Sequence, residues 1–280
     1  MFFADMVFTK KEFDALAAHT GTAPFSFEMD FGLTRVNVEI VNKQAVFDGT
    51  LKLALDSKIK ENFCYLLNEK GLFPLAFFAQ ETNTFYKLIP TADWPSIAIG
   101  SVPMHSTTSP KQDSYNKIKL IAPYGVVLDT CMGLGYTAIL SAKTAKMVHT
   151  YERDENVYLL ATHNPWSQEL LSRKNIEIRR FDINSKISSL EAGCYDCIIH
   201  DPPTFKLSPQ LYTIAFYREL FRVLKGTGKL FHYTPRYKTE QGYDFPAKIR
   251  ENLVASGFVI TRYAVDEGGI VCHKKSRAHR

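Results

Sequence analysis

VVLDTCMGLGYTAIL, residues 126 to 140, decides the fold. Val126 to Asp129 read as a short buried strand ending in an acid, Gly133 and Gly135 as a tight turn, and the run from Tyr136 as a helix. A strand–turn–helix unit of this kind opens a parallel sheet and brings the phosphates or ribose of a ligand against backbone N–H groups. The stretch satisfies two fingerprints at once, G-x-G-x-x-A for dinucleotides and D-x-x-x-G-x-G for adenosyl cofactors. Cys131 stands where many such loops carry a glycine.

Downstream of this stretch the pattern repeats. MVHTYE, IEIRRFD, CIIHD, KLFHY, FVITRY and IVCH read as strands separated by helical stretches. Alternation of this sort predicts an α/β fold with a doubly wound, mostly parallel, seven-stranded Rossmann-like sheet. The last two strands are joined only by Asp266 to Gly269, too short for a crossover, so the last strand is expected to run antiparallel. Upstream, residues 1–112 have a different grain and are expected to form a small, mainly β N-terminal domain, leaving 113–280 as the Rossmann-like domain. Thr9-Lys10-Lys11-Glu12 is a capping box opening one early helix. Val36, Val38 and Ile40 alternate with polar residues, and QAVF follows Asn42-Lys43, which predicts a hairpin. Leu51 to Glu61 is expected to be a short helix, and CYLL with LFPLAFF a strand pair about a turn at Asn68 to Gly71.

The composition is that of a globular chain: 280 residues, 45% hydrophobic, 22% charged and a net charge of +5. No apolar run approaches the roughly 20 residues of a membrane span, so no membrane partner is expected. MFFADMVFTKKEF carries an acid inside its apolar stretch and reads as no signal peptide. Five scattered cysteines, at 64, 131, 194, 197 and 272, fit reduced thiols and a cytoplasmic setting better than a disulfide framework. Cys194-x-x-Cys197 has no second pair and reads as a turn plus a core residue, so no metal is expected. The basic tail HKKSRAHR reads as a solvated terminus.

In an open parallel sheet ligands bind at the carboxyl ends of the strands. The first strand ends in Asp129 and the second in Tyr151-Glu152, the latter roughly 20 residues past the loop, where an acid meets ribose hydroxyls in this architecture. The third is read as ending in Phe181-Asp182 and the fourth in His200-Asp201-Pro202-Pro203-Thr204-Phe205. Four carboxylates around the site repel a pyrophosphate. They suit a cationic sulfonium cofactor carrying an ammonium, a ribose diol and an adenine amino group.

VLDTCMGLG, YERDEN, RRFDIN and HDPPTF together resemble class I S-adenosylmethionine-dependent methyltransferases over about residues 113 to 273. The resemblance implies S-adenosyl-L-methionine as cofactor. It implies that Asp129, Gly133 and Gly135 line the methionine and ribose portion, that Glu152 binds the ribose hydroxyls, Asp182 the adenine edge, and that Asp201 sits beside the transferable methyl. Cys131 departs from the pattern in the first glycine place and is carried over as a further candidate cofactor contact. THNPWSQEL, FYRELFRVLKGTGKLFHYT and FYKLIPTADWPSIAIGSVPMH extend the likeness over most of the chain, which resembles a family of predicted archaeal-type methyltransferases; this implies methyl transfer without implying the acceptor.

Methyl transfer needs a nucleophile held about 3 to 3.5 Å from the methyl carbon and water kept out. Pro202 and Pro203 fix the backbone and lack N–H donors, so their carbonyls and the Asp201 side chain are expected to face the acceptor. D-P-P before an aromatic resembles the motif of amino-group methyltransferases, with Phe205 in the stacking place, although Thr204 is inserted before it. The expected reaction is therefore methylation of a nitrogen in RNA, a protein or a small amine. The end of the fifth strand reads FHYTPRY, without the cysteine that carbon-5 pyrimidine chemistry requires. His200 reads either as packing beneath Asp201 or as functional, while His105, Tyr233, Arg236 and Trp166 read first as structural. The rival enzyme is an aminopropyltransferase of the polyamine synthase type, which also carries a small N-terminal β domain. A non-catalytic cofactor- or RNA-binding module ranks below it. The oligomeric state stays open, a homo-oligomer included.

Overall fold

The computed structural model describes residues 5–105, 108–234, 244–264 and 268–274. The chain divides into two compact units, Met1–Lys111 with Asn156–Gln168, and Gln112–Glu155 with Glu169–Arg280.

Among the described residues the first unit contains three small antiparallel sheets. Its early helix, Lys10–Ala17, starts with Thr9 accepting from the backbone while Glu12 reaches back to the Thr9 amide, a complete capping box. Thr34–Val41 and Gln44–Phe47 pair as a hairpin in which Val41 faces Gln44. Both turn residues, Asn42 and Lys43, have positive φ (49° and 62°), the two-residue turn whose twist matches that of paired strands. Leu51–Ala54 adds a fourth strand here, not the expected helix. Leu51 and Leu53 are buried with Lys52 exposed between them, so a period of two places both leucines on the core face, which a helical period cannot do. LFPLAFF also divides: Gly71–Pro74 and Ala76–Ala79 belong to different sheets. Pro74 has no amide to continue a ladder, and Leu75 turns its amide to the Cys64 carbonyl at 2.8 Å. Trp166, on the 3₁₀ turn Pro165–Ser167, packs on Trp94 with ring centroids 5.1 Å apart, the anchoring role expected of it.

The second unit carries a seven-stranded sheet. We label its strands β1 (Val126–Asp129), β2 (Met147–Tyr151), β3 (Ile176–Arg179), β4 (Tyr195–His200), β5 (Leu224–Tyr233), β6 (Phe258–Ala264) and β7 (Gly269–Lys274). Their order across the sheet is β3-β2-β1-β4-β5-β7-β6. The first five run parallel, and β7 is antiparallel to both β5 and β6. The order reverses at β1, whose neighbours are β2 and β4, so the loops after β1, β2 and β4 meet at the topological switch point.

β1 is flanked by α1 (Pro110–Ile121) before it and the six-residue helix α2 (Tyr136–Ser141) after it. On one side of the sheet, α3 (Ile214–Val223) and α4 (Phe245–Ala255) pack Tyr217, Leu220, Ile249 and Leu253 onto Leu128, Ile198 and Leu230 in one apolar core. α3 is strongly amphipathic, with Phe216, Tyr217, Leu220 and Val223 buried at helical spacing. At the opposite edge of β1, Asp196 on β4 accepts the Val126 amide at 2.8 Å and pairs with Lys225 at 2.8 Å. That acid is structural.

Several sequence readings fall wholly or partly outside the described residues: residues 1–4 of MFFADMVFTKKEF, residues 235–237 of FHYTPRY with Arg236, the connection at 265–267, and the tail from residue 275.

Candidate cofactor and acceptor site

The loop after β1 is stapled at both sides. The Thr130 amide donates to Ile199 on β4 at 3.0 Å, and the Met132 amide to Tyr151 on β2 at 2.7 Å. Within residues 130–135 positive φ falls only on the two glycines, Gly133 (54°) and Gly135 (81°). They differ in what surrounds them. A Cβ on Gly135 would lie 2.6 Å from Leu170, so this glycine is required for packing. A Cβ on Gly133 would meet nothing within 4 Å, so this backbone faces open space, as a cradle for a ligand must. Cys131, at negative φ, lies with its Sγ 3.7 Å from Thr130 Oγ1. Burial, and then the carboxylates of Glu152, Asp129 and Asp201, hold its thiol well above the usual range. It is therefore held as the neutral thiol.

Asp129 is completely buried. Its Oδ2 accepts the hydroxyls of Thr150 at 2.8 Å and Thr137 at 3.3 Å, while its Oδ1 has no hydrogen-bond partner. Burial pushes its pKa up to about 7; the nearby Asp201 adds to the shift, and the threonine hydroxyls oppose it. A buried carboxylate oxygen left without a donor is costly by itself. A cationic N–H donor arriving beside the loop satisfies it.

Glu152 follows β2 directly. Its Oε2 accepts the Gly133 amide at 3.1 Å and its Oε1 the Asp154 amide at 2.9 Å. Enclosure by the surrounding chain raises its pKa to about 7 against the pull of these backbone N–H groups. It therefore ties the end of β2 to the glycine loop and keeps lone pairs on both oxygens for a diol.

Asp182 stands differently from its sequence reading. β3 ends at Arg179, so Asp182 is not a strand end. It caps the short helix Ile183–Lys186, its Oδ1 accepting the Asn184 amide at 2.9 Å. Its Oδ2 lies 3.6 Å from Arg153 Nη1. Arg153 also donates to the Leu207 carbonyl and to Ser208, each at 3.2 Å, and so links the turn after β3 to the loop after β4.

That last loop holds the D-P-P motif. The Pro203 carbonyl is not free as expected: the Tyr212 hydroxyl donates to it at 2.7 Å, with the Pro202 carbonyl 3.4 Å away. Asp201 is ion-paired, its Oδ2 2.5 Å from Lys117 Nζ. Lys117, on α1, is only 4% exposed and also meets Asp113 one turn earlier at 2.5 Å. Burial draws its pKa down, but the two carboxylates outweigh that and hold it above its ordinary value. Its ammonium lies 5.2 Å from the Tyr233 ring centroid at the end of β5. Asp113 and Lys117 were not singled out in the sequence; their i,i+4 spacing is shared by many pairs on helix surfaces. Nothing in it placed Asp201 opposite. Phe205 is 50% exposed and touches Tyr212 and Phe245 edge-on, at 5.7 and 5.3 Å between centroids.

Beneath Asp201 lies a buried histidine pair. His200 Nε2 faces the Leu211 carbonyl at 3.0 Å and therefore carries the proton; Nδ1, 2.8 Å from Thr130 Oγ1, accepts. His232, its partner across β4 and β5, donates from Nδ1 to the Tyr233 carbonyl and faces the Tyr217 hydroxyl at 2.7 Å through Nε2. Burial lowers both pKa values, that of His232 to about 4, so both rings are neutral. His200 is thus a packing and hydrogen-bonding element under the loop. His105 sits in the first unit with Nδ1 3.0 Å from Ser96 Oγ.

Asp129, Gly133, Glu152 and Asp201 thus collect around the carboxyl ends of β1, β2 and β4, with Lys117 joined to them. The orphaned Asp129 oxygen, the open face of Gly133 and the diol-competent Glu152 fit a cofactor with an ammonium and a ribose. The solved structures point to the same kind of scaffold. A spermidine synthase from Thermotoga maritima superposes with a TM-score of 0.52 over 91% of this chain and 81% of its own, at 14% identity. MNMC2 from Aquifex aeolicus superposes with a TM-score of 0.52 over 68% and 71%, at 16% identity. At these identities the likeness is one of fold alone. Among the described residues no helix is long and apolar enough to cross a membrane. No family model matches the chain. A Methanocaldococcus jannaschii protein described as uncharacterized protein MJ1233 is 38% identical over 233 residues, which cover 81% of this chain and 78% of that one. That identity and coverage show that the chain belongs to the family of the M. jannaschii protein.

Proposed function

We propose that the chain is an S-adenosylmethionine-dependent methyltransferase acting on a nitrogen, in RNA, a protein or a small amine. The observation that carries this reading is the buried Asp129 oxygen without a donor, set beside the open Gly133 backbone and Glu152. Asp129 receives the cofactor's ammonium there, Glu152 its ribose hydroxyls, and Asp182 its adenine amino group through the carboxylate oxygen turned to Arg153. When bound, the cofactor supplies an electrophilic methyl on a sulfonium. Asp201 and the Pro202–Pro203 backbone hold the acceptor against it, Tyr212 stiffens that turn, and Phe205 offers an exposed face to the acceptor. Such positioning is the chief contribution a protein makes to an in-line displacement.

The test is transfer of tritiated methyl from the cofactor into fractionated extract of the source cells, before and after nuclease and protease. Label lost to one treatment identifies the acceptor class. Absence of transfer into any fraction contradicts the reading.

One observation favours a second reading: the spermidine synthase superposes over 91% of the chain, the β-rich half included. An aminopropyltransferase takes decarboxylated cofactor, which lacks the carboxylate of the methionine tail, and a polyamine acceptor. Preference for the decarboxylated cofactor in calorimetry supports this second reading against the first.

A further inference from the structure

Arg153 takes no part in the chemistry proposed above, yet its guanidinium joins the turns that follow three strands. It stands two residues past β2, next to Glu152. Its Nη2 donates to the Leu207 carbonyl and to Ser208 Oγ, each at 3.2 Å, and its Nη1 lies 3.6 Å from Asp182 Oδ2. Two nitrogens of one planar fork thus serve different partners, the turn after β3 and the loop after β4. A lysine ammonium, a single point charge, cannot reproduce that fork. The loop side is well defined. The Leu207 and Ser208 amides both close on the Thr204 carbonyl, at 2.8 and 3.2 Å, and Ser208 is buried. The segment after D-P-P is therefore one compact turn, and whatever holds its Leu207 carbonyl also holds Thr204 and Phe205. The Asp182 side is loose. At 3.6 Å the pair is longer than a hydrogen bond, and the two side chains are 46% and 35% exposed, so water screens their attraction.

We infer that Arg153 is a positioning residue: it couples the cofactor's adenine end to the loop that presents the acceptor, so that filling the cofactor site braces this loop. The inference rests on the cofactor placement proposed above and extends it to the acceptor side. Asp182 loses water when an adenine is seated against it. Its Oδ2 has lone pairs enough for both the adenine amino group and Arg153. With the screening reduced, the carboxylate draws the guanidinium more strongly. Arg153, anchored on Asp182 by one nitrogen, then holds Leu207 and Ser208 by the other and fixes the turn beside Asp201. Coupling of this kind is reciprocal, so the braced loop favours cofactor binding by the same factor.

The test is limited trypsin digestion of the full chain, with and without saturating S-adenosylhomocysteine, read by mass spectrometry. The reporter is the bond after Lys206, an exposed residue inside the turn; the reference is the bond after Lys174, exposed in the turn before β3. In the wild-type chain the ligand is expected to slow cleavage after Lys206 by at least about fivefold, the lower end of coupling between two sites. Cleavage after Lys174 should stay as it was. Arg153→Met is expected to be cut faster after Lys206 without ligand and to gain no protection from it. It should bind the ligand several-fold more weakly, as reciprocity requires. Arg153→Lys keeps the charge without the fork and is also expected to gain no protection, which separates bridging from charge alone. It serves as well if the methionine variant does not fold. No protection of Lys206 in the ligand-saturated wild-type chain overturns the inference, as does full protection in either variant. Failure of the wild-type chain to bind S-adenosylhomocysteine is a separate outcome and overturns the methyltransferase reading. In that case equal cutting of wild type and Arg153→Met without ligand still overturns the tie itself.

Discussion

Glu152 Oε2 accepts the Gly133 amide at 3.1 Å, so the acid at the end of one strand fastens the glycine loop that follows its neighbour. The same carboxylate is the one a ribose diol would meet. Glu152→Ala removes both functions. Each charge-assisted bond contributes about 1.5 to 3 kcal/mol, so the variant is expected to bind S-adenosylmethionine at least tenfold more weakly by calorimetry. It should also melt at a lower temperature without cofactor, because the loop loses its tie.

Asp129 gives the site a pH signature. Its folded-state pKa of about 7 lies above the ordinary 3.8, so in the free protein its ionisation costs stability that is lost as pH rises from about 4 to about 7. An incoming ammonium favours the ionised form. Cofactor affinity is therefore expected to increase between pH 6 and 8, with proton release at pH 7 measurable by titration in buffers of different ionisation enthalpy. Glu152, also near 7, shares the window, so Asp129→Asn should reduce the proton release without abolishing it.

The two loop glycines are expected to fail in different ways. Gly135→Ala forces a Cβ to 2.6 Å from Leu170 at φ 81° and should lower stability by 2 kcal/mol or more, about 1 to 2 of which is left-handed backbone strain. Gly133→Ala carries the backbone cost but projects its methyl into open space. Its thermal midpoint should fall less, while its cofactor affinity falls more. Equal loss of affinity with equal loss of stability in both variants would remove Gly133 from the site.

Tyr212 is expected to act through the loop that it braces. Tyr212→Phe removes the donor to the Pro203 carbonyl, a bond contributing about 1 kcal/mol. The rate of transfer should fall several-fold at unchanged cofactor affinity. A rate unaltered on the true acceptor would show that the D-P-P turn holds its shape without it.

The sheet was legible in the sequence because its strands are short, apolar and separated by helical stretches, and the antiparallel β7 followed from a connection too short to cross over. The clustering of Asp129, Glu152 and Asp201 at the carboxyl ends of β1, β2 and β4 was legible because an acid ends or directly follows each strand. What the sequence did not disclose depends on contacts between distant residues. Lys117 and Asp201 are 84 positions apart, and only the fold brings them together. Asp182 was misread as a strand end because an aspartate three residues past a strand looks the same whether it closes the strand or caps the next helix. Leu51 to Ala54 was misread because four residues are too few for a period of two to outweigh a run of helix formers, until pairing with Gln44–Phe47 decides it.

The central claim is the identity of the cofactor, and direct titration of the full chain tests it most directly. S-adenosylmethionine, its decarboxylated form and NAD are titrated in parallel at pH 8, where Asp129 is ionised. The account predicts one S-adenosylmethionine site per chain and no saturable binding of NAD, with the decarboxylated form as the comparison that separates the aminopropyltransferase reading. NAD binding as tight as S-adenosylmethionine binding, or no binding of either adenosyl cofactor, would contradict it.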